Sequence, residues 1–429
     1  MLDGHLLQVL DRKPSEDQSG ALQSQVAQNI PKTLERKRNK ILKGRKERSN
    51  IPDNVKLVHP AHENFNLVFN IMLGIKKAID STLDIPLLEP TERDFNIKCR
   101  YELVPFRTAS NKDNIKACTF YDYAPQIFAN IRKTCGVKKA VYSDSLGPEH
   151  ILGYMFNANF QTLAELCSSG KSGSFFYYTA DGKFVLKTVS RAEFKFLKRI
   201  LRQYHNYLTA ENTESIISKI YGLHKAIFHR RQKSKKVYFA IMNNVFNTHK
   251  KIDRRYDLKG STQGRETQQA NEDPTIALKD LDFLRSQERF KIEGSLRKRL
   301  LDTLEKDARF FARNEIIDYS LLVGIHYKSR HPSPTNASRL QSEQSDFSSP
   351  LPQANHLFFS SYDRCSNASL AHQPELQELC AQGISSTEKS CVYFIGIIDI
   401  LTEYNTKKKL EHVFKSVKYD AHSISCVPP

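Results

Sequence analysis

Two acidic residues lie within apolar stretches of the sequence, where a carboxylate needs a partner. Asp318 stands in the run I-I-D-Y-S-L-L, and Asp399 stands in the run G-I-I-D-I-L. Burial of an unpaired carboxylate is costly, so such an acid is usually bonded to a cation, a hydrogen-bond donor or a metal ion. One of the two could accept a hydrogen bond from a substrate hydroxyl while the other holds Mg²⁺. A helix cap or a structural acid would fit each position equally well.

A glycine- and serine-rich loop is a second chemical feature. It contains Gly170, Gly173 and Ser174 and is followed by a β-rich run. Backbone N–H groups in such a loop can come close to phosphate oxygens, because glycine has no side chain. The loop is not a Walker A motif, since the residue five positions before Gly170 is Glu165 and not glycine. A phosphate-binding loop and a plain flexible loop both fit this pattern.

Lys187 lies near the end of the second of two β-rich runs that Asp181-Gly182 joins as a hairpin. Kinase-like folds place at this position the lysine that binds the α- and β-phosphates of ATP. Glu193 follows on a predicted helix and could pair with that lysine. The alternative is an ordinary lysine at a strand end. A generic protein kinase is excluded, because the sequence contains no H-R-D, D-F-G or A-P-E motif.

The hydrophobic pattern predicts the elements that position these residues. Apolar residues at helical spacing predict helices over residues 65–79, 122–146, 191–208 and 296–317. In the second of these helices, Pro125 stands in the first turn and Gly136 acts as a stop. Short apolar runs predict strands over residues 175–179, 183–189, 237–246, 321–325 and 392–401.

Composition divides the chain into a tail and one domain. Residues 1–54 are predicted to form a disordered basic tail, and residues 328–389, which are rich in polar residues, a disordered insertion. The remaining pattern indicates a domain over 55–429, with an N-lobe of about 55–246 and a C-lobe of about 247–429.

The charge of the chain favours polyanionic partners. The 65 Lys and Arg residues exceed the 47 Asp and Glu residues and give a formal net charge of +18. Nucleic acid is disfavoured, because no aromatic residues are interleaved with the basic runs and no known nucleic-acid module is visible. The basic run 32–48 fits a solvated arm, a nuclear localisation signal or an anchor to an anionic membrane. No apolar run reaches the roughly 18 residues that span a bilayer, so if a membrane is the partner, we expect the protein to lie on its surface.

Eight segments of the sequence resemble the phosphatidylinositol phosphate kinase family. They occur in the family's order and are D-Y-A-P-Q-I-F, S-G-S-F-F-Y, V-L-K-T-V, M-N-N-V-F, Y-D-L-K-G-S-T, L-K-D-L-D-F, I-I-D-Y-S-L-L-V-G-I-H and F-I-G-I-I-D-I-L. The resemblance covers residues 55–429 apart from the insertion. It implies a two-lobed α/β (α+β) fold, like that of protein kinases, with antiparallel sheets in both lobes.

The same resemblance implies a role for each matching residue. The residues expected to bind ATP are Gly170, Gly173, Ser174, Lys187, Glu193, Met242 and Asn243. Asp318 is expected to orient the inositol hydroxyl, and Lys259 to contact the γ-phosphate and the headgroup. Asp399 is expected to hold Mg²⁺. Arg265 is a candidate contact for the lipid phosphate.

The segment after Asp399 resembles the activation loop of the family, which selects the lipid. Glu411 stands where the 4-phosphate 5-kinases carry Glu and the 5-phosphate 4-kinases carry Ala. The basic residues that would contact anionic headgroups include Lys408, Lys409 and Lys415, while Leu410, Val413 and Phe414 would enter the interface. An exposed basic loop is the alternative.

The sequence therefore predicts a kinase that uses ATP and Mg²⁺ to phosphorylate phosphatidylinositol 4-phosphate at the 5-hydroxyl. We expect it at the cytosolic face of membranes, the plasma membrane above all, with a nuclear pool as a further location. The alternatives are a 5-phosphate 4-kinase, mixed specificity, and a weakly active scaffold that binds phosphoinositide. The scaffold is considered because the family usually continues past the position of Pro429 with a short closing segment. Members of the family often form homodimers, so a second copy of the chain is an expected partner. The residues themselves do not indicate where the two copies would make contact.

Overall fold

A computed structural model gives the fold of part of the chain. It describes residues 56–57, 65–82, 89–105, 115–148, 164–167, 174–179, 181–231, 233–267, 276–330, 376–406 and 408. Within these residues the chain forms two main sheets, with helices packed against them. No helix in this part of the chain is long and apolar enough to cross a membrane.

The first sheet has eight strands in the order β1-β4-β5-β6-β8-β7-β3-β2, and all neighbouring strands are antiparallel. Its strands are β1 Lys56–Leu57, β2 Lys98–Leu103, β3 Ile115–Tyr123, β4 Ala164–Cys167, β5 Phe175–Tyr178, β6 Phe184–Val189, β7 Ile220–Arg230 and β8 Lys235–Asn243. The apolar run of β8 is nearly continuous because this strand is central, and Phe239, Ala240 and Ile241 are fully buried.

Four helices accompany the first sheet in the part of the chain that the structure describes. They are α1 Phe65–Asp80, α2 Pro125–Thr134, α3 Lys139–Leu146 and α4 Arg191–Asn206, and a π-helical turn, Tyr207–Glu211, continues α4. Helix α1 packs against β2 and β3. Gly74 of α1 is required there, since a Cβ at this position would lie 2.1 Å from the ring of Phe120. The predicted helix over 122–146 is wrong in its extent: Tyr123 still belongs to β3, and the positive φ of Gly136 separates α2 from α3.

The second sheet has five strands in the order β10-β9-β12-β14-β13. Its strands are β9 Arg254–Leu258, β10 Ala277–Leu278, β12 Ser320–Tyr327, β13 Ile384–Ser385 and β14 Cys391–Ile398. Strands β11 Ile316–Ile317 and β15 Thr402–Glu403 form a separate two-stranded ladder. The helices of this half are α5 Asp280–Ser286, α6 Gly294–Arg313 and α7 Leu376–Gln382. The predicted lobe boundary at 246–247 falls between β8 and β9.

The predicted disordered insertion is wrong for its last part. Residues 376–385 form α7 and β13, in which Leu376, Cys380 and Ile384 are buried in the core. Leu376 and Cys380, four residues apart, lie on one face of α7, and Ile384 follows in β13, although polar neighbours hide the pattern in the sequence. Residues 331–375 of that insertion, like the tail 1–54, lie outside the described residues.

A short segment joins the two sheets. Ser218 donates its backbone N–H to Ile397 O (2.7 Å), and Ile397 donates its own to Ile216 O (3.0 Å). Residues 216–218 therefore pair in parallel with the end of β14 of the second sheet, just before the chain enters β7 of the first. The end of β14 is consequently held by both halves of the molecule.

Candidate active site

Three strand ends meet at one edge of the second sheet. Ser320, at the start of β12, pairs with Ile398, at the end of β14, and Leu321 pairs with Leu258, at the end of β9. The residues just beyond these ends are Asp318, Asp399 and Lys259. The register thus brings together both acids and the lysine that the sequence analysis selected.

Asp318 and Asp399 both have a left-handed backbone conformation. Their φ values are 61° and 64°, respectively. Asp tolerates this region better than most residues, but each instance still costs free energy. Such strain is concentrated at functional sites, and here it occurs at both predicted catalytic acids.

Lys187 of β6 reaches from the first sheet to Asp399. Its Nζ lies 2.7 Å from Asp399 Oδ1, and 9% of the lysine side chain is exposed against 41% of the aspartate side chain. The ammonium group also lies 5.4 Å from the centroid of the Phe176 ring. A cation and a carboxylate from opposite halves of the molecule therefore face each other where the sequence analysis expects phosphates and Mg²⁺.

Asp318 has two lysine neighbours. Lys408 Nζ lies 2.7 Å from Asp318 Oδ2, and Lys259 Nζ donates to the backbone oxygen of Asp318 at 2.6 Å. The carboxylate is only 17% exposed. The positive charge predicted from the D-L-K-G-S-T and activation-loop segments is thus directly beside the predicted catalytic acid.

Asp280 organises the loop that carries Lys259. Its Oδ1 accepts from the backbone N–H groups of Lys259 (2.9 Å) and Gly260 (2.8 Å), and its Oδ2 accepts from Arg265 Nε (2.7 Å). The residue is buried at the start of α5. Asp280 lies in the motif L-K-D-L-D-F, from which no role for it is predicted. Its position at the start of a helix was the available signal.

Arg265 differs from its expected role as a contact for the lipid phosphate. It donates to Asp280, and its Nη2 lies 2.8 Å from Asp257 Oδ1. Burial alone would lower the pKa of Arg265, but the hydrogen bonds and charges of these two carboxylates raise it. The guanidinium is therefore committed to two internal acids in this structure, because a half-buried arginine needs such partners.

Glu193 does not pair with Lys187 in this structure, so that expectation is corrected. Its Oε2 accepts from the backbone N–H of Ser190 (2.7 Å), and its own N–H donates to Ser190 Oγ (3.1 Å). This is a capping box at the start of α4. The sequence S-R-A-E at 190–193 contained that signal.

Met242 and Asn243 end β8, where the first sheet leads into the second. Met242 is buried. The side-chain oxygen of Asn243 accepts from Lys219 N (2.6 Å) and Ser218 Oγ (3.0 Å). Asn243 therefore holds Ser218 and Lys219, in the segment that joins the two sheets. The sequence does not predict this structural role.

The other predicted site residues divide into two groups. Ser174 is described and is buried immediately before β5. Those outside the described residues are Gly170, Gly173, Lys409, Glu411 and Lys415. Within the described part of the chain, no group of three His, Cys, Asp or Glu side chains could hold a metal ion.

An apolar cavity of about 240 Å³ adjoins Lys259. Its lining comes from β9, α6, β12 and β14, and consists of Leu258, Lys259, Leu304, Ala308, Phe311, Tyr319, Leu321 and Ile397. Apolar surroundings lower the local dielectric constant and strengthen the electrostatic interactions of a nearby cation. The cavity therefore places Lys259 in a setting where its charge has a strong effect.

Comparison with known proteins gives the same family as the motifs. A sequence model of the family described as phosphatidylinositol-4-phosphate 5-kinase matches residues 157–429. A phosphatidylinositol 4-phosphate 5-kinase of Plasmodium falciparum is 37% identical over 87% of this chain and 20% of its own length. Phosphatidylinositol 4-phosphate 5-kinase 6 of Arabidopsis thaliana is 31% identical over 87% of this chain and 52% of its own length. The kinase its3 of Schizosaccharomyces pombe is 29% identical over 98% of this chain and 59% of its own length.

These relatives are all longer than this chain, which spans between a fifth and three fifths of their length. The family model nevertheless covers well over half of the chain, and its span includes every strand end that forms the site. The first sheet is antiparallel throughout, and the second is antiparallel except for the parallel pair β9 and β10. This agrees with the kinase-like lipid kinase fold that the motifs imply. The chain therefore belongs to the phosphatidylinositol-4-phosphate 5-kinase family.

Proposed function

We propose that the chain transfers the γ-phosphate of ATP to the 5-hydroxyl of phosphatidylinositol 4-phosphate, giving phosphatidylinositol 4,5-bisphosphate. The observation that carries this proposal is the convergence of Lys187, Lys259, Asp318 and Asp399 at one edge of the second sheet. The names of the relatives support the choice of lipid and of hydroxyl.

Each residue has a chemical task in this reaction. Asp318 would accept the hydrogen bond of the attacking hydroxyl and orient its oxygen toward the γ-phosphorus. Lys187 and Lys259 would contact phosphate oxygens and stabilise the charge that is transferred. For this to happen, Lys187 has to exchange Asp399 for the nucleotide, and Asp318 has to exchange Lys408 for the substrate.

Asp399 fits a site for Mg²⁺ that is completed by the nucleotide. Magnesium is usually bound by one or two carboxylates together with phosphate oxygens and water, so a cluster of three protein ligands is not required. The half-exposed carboxylate of Asp399 faces Lys187, the lysine expected at the phosphates. When bound, Mg²⁺ would neutralise charge on the phosphate oxygens.

We also propose that the chain acts at the cytosolic face of membranes, the plasma membrane above all. The net charge of +18 and the basic run 32–48 support an anionic lipid surface as the partner. Glu411 as the selector of the lipid, a homodimer and a nuclear pool stay predictions.

The test is a kinase assay on vesicles that carry phosphatidylinositol 4-phosphate, phosphatidylinositol 5-phosphate or phosphatidylinositol, with the product isomers resolved. We expect the 4,5-bisphosphate mainly from the 4-phosphate, and a roughly 10²–10⁴-fold lower rate for Asp318→Asn. Product mainly from the 5-phosphate would instead support a 4-kinase. Vesicle binding without any product would support the scaffold.

A further inference from the structure

Three lysines from three strands lie on one face of the first sheet. Tyr121 of β3 pairs directly with Lys225 of β7, and Lys225 pairs directly with Tyr238 of β8. Directly paired residues point to the same face, as do residues two apart on one strand. Lys98 and Lys236 stand at such positions, diagonal to Tyr121 and Lys225, respectively. We refer to Lys98, Lys225 and Lys236 as the lysine cluster.

Two members of the cluster share one aromatic ring. Lys225 Nζ lies 3.9 Å and Lys98 Nζ 5.1 Å from the centroid of the Tyr121 ring. Each distance is within the range of a cation–π interaction. Tyr121 therefore holds two ammonium groups close together, although they repel each other.

No carboxylate neutralises the cluster within the described part of the chain. None of its three members has an ion pair or a side-chain hydrogen bond there. Glu102, an acid of the same strand as Lys98, pairs with Arg100. Burial lowers the pKa of Lys225, and the charges of Lys98 and Lys236 lower it further. The three like charges repel one another, which costs free energy. No carboxylate among the described residues offsets that cost.

We propose that the lysine cluster is a binding site for a multiply phosphorylated anion, of the kind found in an inositol phosphate headgroup. Such an anion would bring several negative charges to three converging ammonium groups, and Tyr121 and Tyr238 would offer phenol O–H donors beside them. The cluster shares no residue with the site at Asp318 and Asp399: its lysines stand on β2, β7 and β8, whereas the lysine of that site on the first sheet, Lys187, stands on β6. The ligand would be either a lipid in a bilayer or the free headgroup.

The experiment compares the purified chain with the triple variant Lys98→Gln, Lys225→Gln, Lys236→Gln, without ATP. One arm measures binding to phosphatidylcholine vesicles that contain phosphatidylinositol 4,5-bisphosphate. The other measures binding of soluble inositol 1,4,5-trisphosphate by calorimetry, including the number of sites. We expect the triple variant to bind the vesicles about 100-fold more weakly, near fivefold per lysine. In the soluble arm we expect it to lose one site.

The matched control is Lys77→Gln, Lys133→Gln, Lys235→Gln, which removes the same charge from exposed lysines of α1, α2 and the opposite face of β8. It should bind almost normally. The variant with arginine at the three cluster positions should retain binding, since charge and ring contacts are kept. Unchanged binding by the glutamine cluster variant, or an equal loss in the control, would overturn the proposal. Loss in the vesicle arm alone would identify a membrane lipid as the ligand, and loss in both arms the headgroup itself.

Discussion

The ammonium group of Lys408 lies 2.7 Å from Oδ2 of Asp318. Lys408 belongs to the segment after β15, and it forms an ion pair with the carboxylate that is proposed to bind the substrate hydroxyl. Both side chains are mostly shielded from solvent. The substrate therefore competes with an ion pair of the chain itself. The free energy of that pair is part of the barrier to productive binding.

Replacing Lys408 by Gln is expected to speed transfer to a soluble, short-chain phosphatidylinositol 4-phosphate. A shielded, charge-assisted pair is equivalent to about 1–3 kcal/mol, so the gain in kcat/KM should lie between about fivefold and 100-fold. On anionic vesicles the same variant should bind more weakly, since a cation is lost. Steady-state kinetics with both substrates checks this, and Lys133→Gln is the control. A lower rate with the soluble substrate would show that Lys408 assists the reaction.

The pairing of Lys187 with Asp399, and not with Glu193, predicts unequal effects of two substitutions. Lys187→Met should lower kcat/KM for ATP by about 10²–10³-fold, because the cation at the phosphates is lost. Glu193→Gln should change it by less than about fivefold and lower the melting temperature only slightly, since glutamine can also accept from Ser190 N in the capping box of α4. Kinetics at varied ATP, with thermal unfolding of each variant, measures both. A 100-fold loss in Glu193→Gln would mean that Glu193 leaves its cap when nucleotide binds.

Glu293 gives a prediction for the dependence of stability on pH. Its side chain caps α6 by accepting from Ser295 N (2.9 Å) and Leu296 N (3.0 Å). The hydrogen bonds with Ser295 and Leu296 lower the pKa of Glu293 to about 2 from an ordinary value of 4.5. A carboxyl whose pKa is lowered by folding stabilises the fold above its unfolded pKa, and this stabilisation is lost as the pH falls through the folded value.

Thermal unfolding of the wild type and of Glu293→Gln is the corresponding measurement. The wild type should melt at a higher temperature at pH 6, and the difference should shrink progressively as the pH is lowered from 4.5 toward 2. Glu305→Gln is the control, because Glu305 lies on the same helix and makes only an exposed ion pair with Arg309. A difference that stays constant over this range would contradict the cap as its origin.

The places of the proposed catalytic residues in the fold could be predicted from the sequence better than their side-chain partners. Asp318, Asp399, Lys187 and Lys259 stand in short distinctive motifs, and the antiparallel register of β12 with β9 and β14 brings three of them together. Their partners depend on contacts between distant parts of the chain, as in the pairing of Asp318 with Lys408. No periodicity within one sequence reports such a contact.

Two errors had local signals that competing patterns hid. The sequence S-R-A-E indicates a capping box of Ser190 with Glu193. The kinase-like order of Lys187 and Glu193 instead favours Lys187 as the partner of Glu193. The core positions of α7 have a spacing of four residues, but the polar stretch that precedes them suggested disorder throughout. Arg265 is a different case, because nothing near it in the sequence indicates that Asp280 lies close enough to bind it.

Asp307 of α6 supports Asp399 from a distance. Its buried carboxylate accepts from Tyr207 Oη (2.6 Å) and from the backbone N–H of Ile216 (3.1 Å). Ile216 in turn accepts from the backbone of Ile397, two residues before Asp399. Replacing Asp307 by Ala would leave a buried hydroxyl and a buried N–H without their acceptor. The expected loss in the free energy of unfolding is about 2–6 kcal/mol, since each of these two groups costs about 1–3 kcal/mol.

The loss should also reach the nucleotide site, because β14 carries Asp399 at its end. We expect the KM for ATP of Asp307→Ala to rise at least about fivefold while the KM for lipid stays within about twofold, a split that general destabilisation would not produce. Tyr207→Phe is the matched variant, since it removes the hydrogen bonds of Tyr207 with Asp307 and Asn212 and leaves the bond from Ile216 to Asp307 intact. It should cost about 1–3 kcal/mol and keep the normal KM for ATP. Urea unfolding and kinetics on the folded fraction measure both quantities. Equal behaviour of the two variants would mean that Asp307 stabilises α6 and the π-helical turn without positioning Asp399.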